Sequence, residues 1–430
     1  MNLLKNIFEN EVFPAIGCTE PISCAYTAAA AVELLGGPVE KITLYVDPGT
    51  YKNGAAVTVP NSGGAKGNAI AAALGAAIAK SSLRLEILKD VSPEVLNIAK
   101  ELIASGKLQY CCKEDEKEFH VEVEAADGVS VVRCVVAEGH TNIVKLEKDG
   151  KSIIEKHPHA GSREKGYKDV MREMKLEDVL KNVIVMDADD RAYIQRGIDM
   201  NIAVSLKGID MKRTAYQLKH MMKEGIMAND LSYRVKLAVA SAVDARMGGM
   251  PEPVMTSGGS GNQGSLTILV PYIVGRHQDI EIDRIVESIA ISHAVNSYVK
   301  CFMGELSVIC GCAIAASISA AIALVYQNAG IDMKKIGYAI DNVIGDLCGI
   351  ICDGAKPGCS MKIMSGAETA VRSAFMALAG YGLSETDGVL GGSPEESIKN
   401  LCRVSFEGMG LVDPTVVHIL QDKSVRSGMA

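Results

Sequence analysis

The fold of the first third of the chain is decided by residues 119–156, which read FHVEVEAADGVSVVRCVVAEGHTNIVKLEKDGKSIIEK. Apolar and polar residues alternate there in four short runs, and a period of two is typical of strands that bury one face. Brief polar or glycine-containing breaks separate the runs, so successive strands are expected to pair antiparallel. The sequence therefore predicts an α+β layer with a mostly antiparallel sheet over residues 39–160.

The remaining elements of this layer are predicted from shorter signals. Strands are expected at 41–46 and 55–59, on either side of a turn at 47–49, and a further alternating run stands at 85–88. The glycine-rich turn at 61–67 is expected to lead into an alanine-rich helix.

Helical periodicity governs the residues on both sides of the layer. Residues 2–10 and 20–36 are predicted helices, and nearly the whole remainder of the chain repeats with the period of a helix. We expect the N-terminal segment 1–38 to pack on a large all-helical domain at 170–430. The polar stretch 157–169 is interpreted as the linker.

Composition excludes two classes of protein. The 430 residues carry a formal net charge of -8 with scattered lysine and arginine, whereas a nucleic-acid binder would show a basic patch. No charge occurs between Glu305 and Asp332, but alanine, serine, glycine and cysteine dominate this stretch, so a buried helix over 305–327 is expected instead of a membrane span. The N-terminus lacks the pattern of a signal peptide. We therefore expect a cytoplasmic protein with neither a nucleic-acid nor a membrane partner.

The chain has 12 cysteines, and in a reducing compartment this number favours metal binding or catalysis over disulfides. The most informative stretches are ICGC (309–312) and ICDGAKPGC (351–359). Cys352 and Cys359 flank a loop that its glycine and proline keep non-helical, and one thiol from a separate helix would complete a pocket of three thiolates. Such a set suits an iron–sulfur cluster with one iron left open to substrate. The alternative is that these cysteines are small buried hydrophobes.

Helix geometry ranks the other cysteines of these stretches. If Cys310 and Cys312 lie two apart on one helix, they point about 200° apart, so only one can be a ligand. Cys348 could share a helical face with Cys352, which makes it the second-choice ligand.

Two further residues are candidates for chemistry. Cys18, in FPAIGCTEPIS (13–23), is expected at a helix N-terminus, where free amides and the helix dipole favour a thiolate that can act as base or nucleophile. The alternative for Cys18 is a buried thiol in the cap region. His140, beside a glycine at a strand start, is the histidine best placed for function, although most such histidines are hydrogen-bonded turn residues.

Two glycine-rich turns, at 61–68 and 256–264, present backbone amides and hydroxyls of the kind that bind carboxylates or phosphates. The second turn contains G-x-G-x-x-G, but no βαβ unit surrounds it, so dinucleotide binding is disfavoured. Its SGNQG also resembles the loop that grips the substrate carboxylate in fold-type II pyridoxal-phosphate enzymes. Lys236 would then be the Schiff-base lysine, although it stands on an ordinary amphipathic helix.

Taken together, several stretches resemble the L-cysteine desulfidase family, which is related to the oxygen-sensitive iron–sulfur L-serine dehydratases. These stretches are FPAIGCTEP, the glycine-rich turn at 54–70, GHTNI, SGGSGNQG, CGCAIAAS and NVIGDLCGIICDGAKPGC. The resemblance implies a 4Fe-4S cluster on Cys312, Cys352 and Cys359, with Cys18 as the catalytic base. It further implies β-elimination of L-cysteine to hydrogen sulfide, pyruvate and ammonia, with the open iron as Lewis acid.

The remaining assignments under this reading concern substrate and partners. The side chains expected to hold the amino-acid substrate are Asn61, Ser62, His140, Ser260 and Asn262. A homodimer is the default assembly. One alternative is an iron–sulfur L-serine dehydratase, which differs only in the leaving group. Another, of a different class, is a non-catalytic iron–sulfur or metal-binding regulator.

Overall fold

A computed structural model describes residues 2–156, 166–304 and 306–426 of the chain. It joins a six-stranded sheet to a large body of helices, so the predicted α+β class is confirmed. Residues 157–165 of the predicted linker lie outside the described residues, and the next helix already begins at Tyr167.

The strands form one large sheet and one small one. The large sheet has the order β3-β2-β4-β5-β6-β7, in which β2 and β3 are parallel and every other pair is antiparallel. The mostly antiparallel sheet is therefore confirmed, while β1 and β8 pair separately. The strands are β1 Pro14–Ala15, β2 Lys41–Val46, β3 Leu108–Cys112, β4 His120–Ala126, β5 Val131–Ala137, β6 Ile143–Lys148, β7 Lys151–Glu155 and β8 Val254–Met255.

Helices account for almost all regular structure beyond the large sheet, as the periodicity predicts. A 3₁₀ segment at Ser81–Glu86 and a π-helical turn at Val404–Gly408 complete the elements. The α-helices are α1 Leu3–Glu11, α2 Thr19–Leu35, α3 Pro48–Gly54, α4 Asn68–Ile78, α5 Pro93–Ala104, α6 Tyr167–Glu173, α7 Leu176–Val183, α8 Ala188–Gly208, α9 Thr214–Lys223, α10 Leu231–Met247, α11 Gly261–His277, α12 Ile282–Met303, α13 Ala315–Ala329, α14 Met333–Leu347, α15 Cys359–Leu378, α16 Pro394–Arg403 and α17 Val412–Arg426.

The first two helices belong to different parts of the molecule. Helix α1 packs on α7 and α12, whereas α2 packs on α4 and on strands β4 and β5. Alanines fill the buried face of α2 and lie in one apolar cluster with the valines of β4 and β5. Residues 1–38 are therefore not one unit packed on the helical region, because the small side chains of α2 fit closely against the sheet.

Three local predictions are wrong, each for a physical reason. No strand forms at 55–59, because the Asp47 carboxylate accepts a hydrogen bond from Thr50 N (2.9 Å) and caps helix α3 instead. Residues 85–88 form the end of a 3₁₀ segment and the turn that follows it, and they do not enter the sheet. The helix expected over 305–327 begins only at Ala315, since a turn precedes it.

Helix α5 was not predicted from the alternating runs around it, although Ser92 caps it and proline stands at its start. Within the described ranges, no helix combines the length and the apolar character that crossing a bilayer requires.

We predict that Gly75→Ala destabilises the protein although alanine favours helices. A Cβ at Gly75 would stand 1.9 Å from the Ala25 carbonyl oxygen, where α4 crosses α2. Overpacking of this kind costs about 1–3 kcal/mol, more than the helix-propensity gain of about 1 kcal/mol. The matched control is Gly337→Ala in α14, where the nearest atom would be Pro394 Cγ at 3.6 Å. Urea unfolding should show a loss for the first variant and none for the second; equal midpoints would contradict the close crossing.

Candidate active site

Two separate segments meet to hold the cysteines. Ile309 and Ile351 form an isolated antiparallel bridge, which joins the turn before α13 to the loop before α15. Cys310 N donates to Ile350 O (2.8 Å), and Cys352 N donates to Val308 O (2.7 Å). The backbone itself therefore fixes the thiols of these two segments beside each other.

The turn places Cys310 and Cys312 in a different relation from the one expected. Neither residue is helical, and both line the same cavity, so the prediction that they point apart on one helix is wrong. The tight turn brings the two thiols together, and a hydrogen bond with Cys312, followed by burial, raises the pKa of Cys310 well above its ordinary value. Cys348 caps α14 outside the cavity and shares no helix with Cys352.

Cys359 begins helix α15 behind the loop, where its Sγ contacts Gly354 O at 3.7 Å. Burial, with smaller contributions from the nearby Cys310 and Cys352, raises the pKa of its thiol to about 12. Cys359 thus lies near Cys310 and Cys352, and Cys310 lies beside Cys312.

The described side chains around these thiols do not form a site for a single metal ion. Across the described ranges, no three His, Cys, Asp or Glu side chains stand close enough to bind one metal ion. An iron–sulfur cubane takes each thiolate on a different iron, so its ligands stand farther apart than those of one ion. A donor set made only of cysteines is also the set that such clusters use.

Cys310, Cys312 and Cys352 open onto a small cavity of about 80 Å³, here called the central cavity, whereas Cys359 is not among its walls. It lies where α2, α3, the glycine-rich turn before α11, the end of α12 and the two cysteine segments meet. A wider groove at 112–116 is formed by one loop and contains none of the candidate residues. The walls of the central cavity are Thr19, Glu20, Lys52, Asn53, His140, Gly258, Gly259, Ser260, Gln263, Lys300, Met303, Gly304, Leu306, Ser307, Ile309, Cys310, Gly311, Cys312 and Cys352.

Cys18 stands just behind this wall as the N-cap residue of α2. Its Sγ donates to Glu20 Oε2 at 2.8 Å, and Asn53 Nδ2 donates to Glu20 Oε1 at 2.9 Å. Asn53 in turn accepts a contact from Cys352 Sγ at 3.8 Å. A chain of polar contacts therefore runs from the candidate base to a candidate cluster ligand.

The state of Cys18 differs from the expected thiolate. Burial, and then the Glu20 carboxylate, raise the pKa of Cys18 well above its ordinary value, against a smaller opposite effect of Arg246. Burial acts to raise the pKa of Glu20 as well, but His140 and the hydrogen bonds from Cys18 and Asn53 lower it overall. In the resting protein Cys18 is thus a neutral thiol that donates to an ionised carboxylate, because helix-terminal amides do not compensate burial beside an anion.

The predicted substrate-binding residues divide into two groups. Ser260 and His140 line the central cavity, and Ser260 Oγ lies 3.6 Å from Cys312 Sγ. Asn262 lies behind the wall, where its Oδ1 accepts a hydrogen bond from Arg246 Nε at 3.1 Å.

The first glycine-rich turn is not brought to the central cavity. Asn61 Nδ2 donates to the carbonyls of Leu88 and Lys89, and Ser62 Oγ donates to those of Val59 and Ala65. Ser62 closes its own turn and Asn61 ties that turn to residues 88–89, so the geometry gives their substrate role no support.

Charged residues that the sequence did not single out complete the site. Lys52 is 2% exposed and its Nζ pairs with Asp413 Oδ1 at 2.6 Å. Lys300, 6% exposed, donates to Gly258 O at 2.6 Å. Arg246 is also buried and donates to the carbonyls of Ala15 and Gly17, which anchors the segment before Cys18. The one signal in the sequence was Lys300 itself, a lone charge in the apolar run SYVKCF.

Buried amides orient the second glycine-rich turn. Asn296 Nδ2 donates to Gln263 Oε1 (2.8 Å) and to Ser257 Oγ (3.1 Å), and His293 Nδ1 lies 2.9 Å from the same hydroxyl. Burial lowers the pKa of His293 to about 3, so this histidine is neutral. Because the carbonyl of Gln263 is occupied, its amide nitrogen is left to face Gly311 between the two cysteines.

Fold and site together define a protein with a thiol-lined pocket between a sheet and a helical body. The sequence model of the serine dehydratase alpha chain matches residues 82–418. The chain belongs to this family.

Similar relatives carry the name UPF0597 protein. One from Geobacter sulfurreducens is 44% identical over 98% of this chain and 99% of its own length. One from Elusimicrobium minutum is 43% identical over 98% of this chain and 100% of its own, and one from Clostridium tetani is 36% identical over 98% of both. No solved structure matches the chain.

We predict that Asp413→Asn lowers the free energy of unfolding by about 3 kcal/mol, because it leaves the buried Lys52 ammonium without its partner. The matched control is Glu177→Gln, which breaks an exposed pair with Lys181 and should cost less than about 0.5 kcal/mol. Urea unfolding measures both. Similar small losses in the two variants would show that the Lys52 pair is not a buried one.

Proposed function

We propose that this chain is an iron–sulfur lyase that β-eliminates L-cysteine to hydrogen sulfide, pyruvate and ammonia. The observation that carries the proposal is the polar chain from Cys18 through Glu20 and Asn53 to Cys352, at the wall of the central cavity. The candidate base is thereby linked, through two residues of the wall, to a candidate cluster ligand that lines the cavity. Family membership supports a lyase acting on a small β-substituted amino acid.

The cluster would be held by Cys312, Cys352 and Cys359, the cysteines that the resemblance assigns to it. A 4Fe-4S cluster bound by three thiolates supplies one open iron, a Lewis acid for the amino acid's carboxylate or leaving sulfur. The positive charges of Lys52 and Lys300 on the same wall suit a substrate that carries a carboxylate.

The chain's other groups suit a small amino acid. At about 80 Å³ the central cavity is far smaller than the roughly 300–1,000 Å³ of pockets for drug-sized ligands. Ser260 and the oriented amide of Gln263 offer hydrogen bonds to carboxylate and amino groups. Cys18 would accept the Cα proton, after which the Cβ–S bond breaks and sulfide leaves. The resulting aminoacrylate tautomerises and hydrolyses to pyruvate and ammonia.

The family name favours one second candidate, an L-serine dehydratase that eliminates water from the same site. The two reactions differ only in the leaving group, and an iron held by thiolates would be soft and would favour sulfur over oxygen. The homodimer, the cytoplasmic location and the absence of nucleic-acid and membrane partners stay predictions.

We predict that the anaerobically reconstituted protein releases sulfide and pyruvate in equal amounts from L-cysteine. Its kcat/KM should exceed that for L-serine at least about tenfold, a difference of about 1.4 kcal/mol. Cys18→Ser is the negative control, which should keep its iron and lose turnover. Pyruvate formed faster from serine than from cysteine would establish the dehydratase instead, and iron without turnover on either substrate would indicate a regulator.

A second prediction separates the two cysteines of the turn. Both line the central cavity, but the resemblance assigns the cluster to Cys312 and leaves Cys310 out. Cys312→Ser and Cys352→Ser should lose most of the bound iron, because each removes a thiolate ligand. Cys310→Ser, the matched control two residues away, should keep it. If Cys310→Ser is the variant that loses iron, the ligand assignment within the turn must be exchanged.

A further inference from the structure

A carboxylate that the proposed reaction has not used, Glu20, lies beside Cys18 at the wall of the central cavity. Glu20 is buried with 7% of its surface exposed, and it lines the cavity while Cys18 does not. Its two oxygens are fixed from opposite sides, Oε2 by the Cys18 thiol at 2.8 Å and Oε1 by Asn53 at 2.9 Å. Removing a carboxylate from water costs free energy. A buried glutamate that accepts a hydrogen bond from a thiol is therefore expected to have a role.

We infer that Glu20 receives the proton of Cys18 before Cys18 takes the Cα proton of the substrate, so that the two residues act as a thiol–carboxylate dyad. The inference deepens the proposed lyase function and rests on it. It assigns to Glu20 a role that acts through Cys18, with Asn53 holding the carboxylate in register.

Each proton that Cys18 and Glu20 transfer is accounted for within one turnover. The Cys18 S–H bond breaks as an O–H bond forms on Glu20, which leaves a thiolate beside a neutral acid. The thiolate then takes the Cα proton, and the electron pair of the Cα–H bond becomes the Cα–Cβ double bond as HS⁻ leaves from Cβ. The proton on Glu20 passes to HS⁻ to give H₂S. Thiol and carboxylate are thereby both restored, and no oxidant or reductant is consumed.

The surrounding charges fit a negative charge that moves between the two side chains. Arg246 of α10 donates to the carbonyl of Gly17, the residue before Cys18, and its charge opposes the rise in the pKa of Cys18. His140 lines the same cavity and lowers the pKa of Glu20. Burial, then Asp47 and Glu20, raise the pKa of Cys24, a buried thiol one turn further along α2. Arg246 therefore acts on the Cys18 member of the dyad, and His140 acts on the Glu20 member.

The test uses two readouts that the dyad moves in opposite directions. In Glu20→Gln the anion that suppresses the Cys18 thiolate is gone, so alkylation of Cys18 by iodoacetamide should speed up at least about fivefold near pH 8. The midpoint of its rate–pH profile should shift to lower pH. Sulfide release from L-cysteine should fall at least about 100-fold, because the proton acceptor is lost.

Three controls separate the dyad from a structural role. Glu33→Gln, an exposed carboxylate on the same helix, should change neither readout. Peptide-resolved labelling of Cys111 on β3 is the internal reference for reagent access. Glu20→Asp keeps the charge at a longer distance, so its alkylation midpoint should stay near that of the wild type while turnover falls less than in Glu20→Gln. It also serves as the test variant if Glu20→Gln does not fold.

The outcomes separate this inference from the proposed function. An unshifted alkylation midpoint in Glu20→Gln, or sulfide release within twofold of the wild type, removes the dyad and leaves the lyase standing. An equal midpoint shift in Glu20→Asp assigns the effect to loosened packing and also overturns the inference. A wild-type protein that releases no sulfide removes the proposed function itself.

Discussion

The two backbone hydrogen bonds that clasp Cys310 to Ile350 and Cys352 to Val308 are the constraint on which the site depends. They join segments that follow different helices and stand some forty residues apart in the chain. Without these hydrogen bonds, nothing in the backbone would hold the thiols of the turn next to those of the loop. Because backbone groups make the bond, the cysteine side chains remain available for ligands.

The surrounding helices supply the other residues of the site. Helix α2 brings Cys18 and Glu20, α3 brings Lys52 and Asn53, and the turn before α11 brings Ser260. Close packing of small residues, as at Gly75 against Ala25, lets the helices approach and buries charges that must then be paired. The pairing of Lys52 with Asp413 and the anchoring of Arg246 on backbone carbonyls are the result.

The fold was predictable where one period dominated. The alternation at 119–156 gave the antiparallel strands, whereas the run at 55–59 carried the same signal and failed because Asp47 caps a helix just before it. Strand and cap compete over a few residues, and the sequence alone does not show which one forms.

The site was predictable only where a residue type is rare. Cysteines stand out, and together with the family resemblance they gave Cys18, Cys312, Cys352 and Cys359 as candidates, whose roles stay predictions. Glu20 could not, since one glutamate among 52 acidic residues shows nothing of its burial. The prediction that Cys310 and Cys312 point apart on one helix failed for a related reason. Periodicity does not show where helix α13 begins.

The most direct test of the account is the iron and acid-labile sulfide content of wild-type protein purified and reconstituted without oxygen. A cubane cluster held by the clasped thiols predicts about four of each per chain. Iron well below one atom per chain after reconstitution would contradict the central claim, and the cysteines of the central cavity would then be ordinary buried thiols.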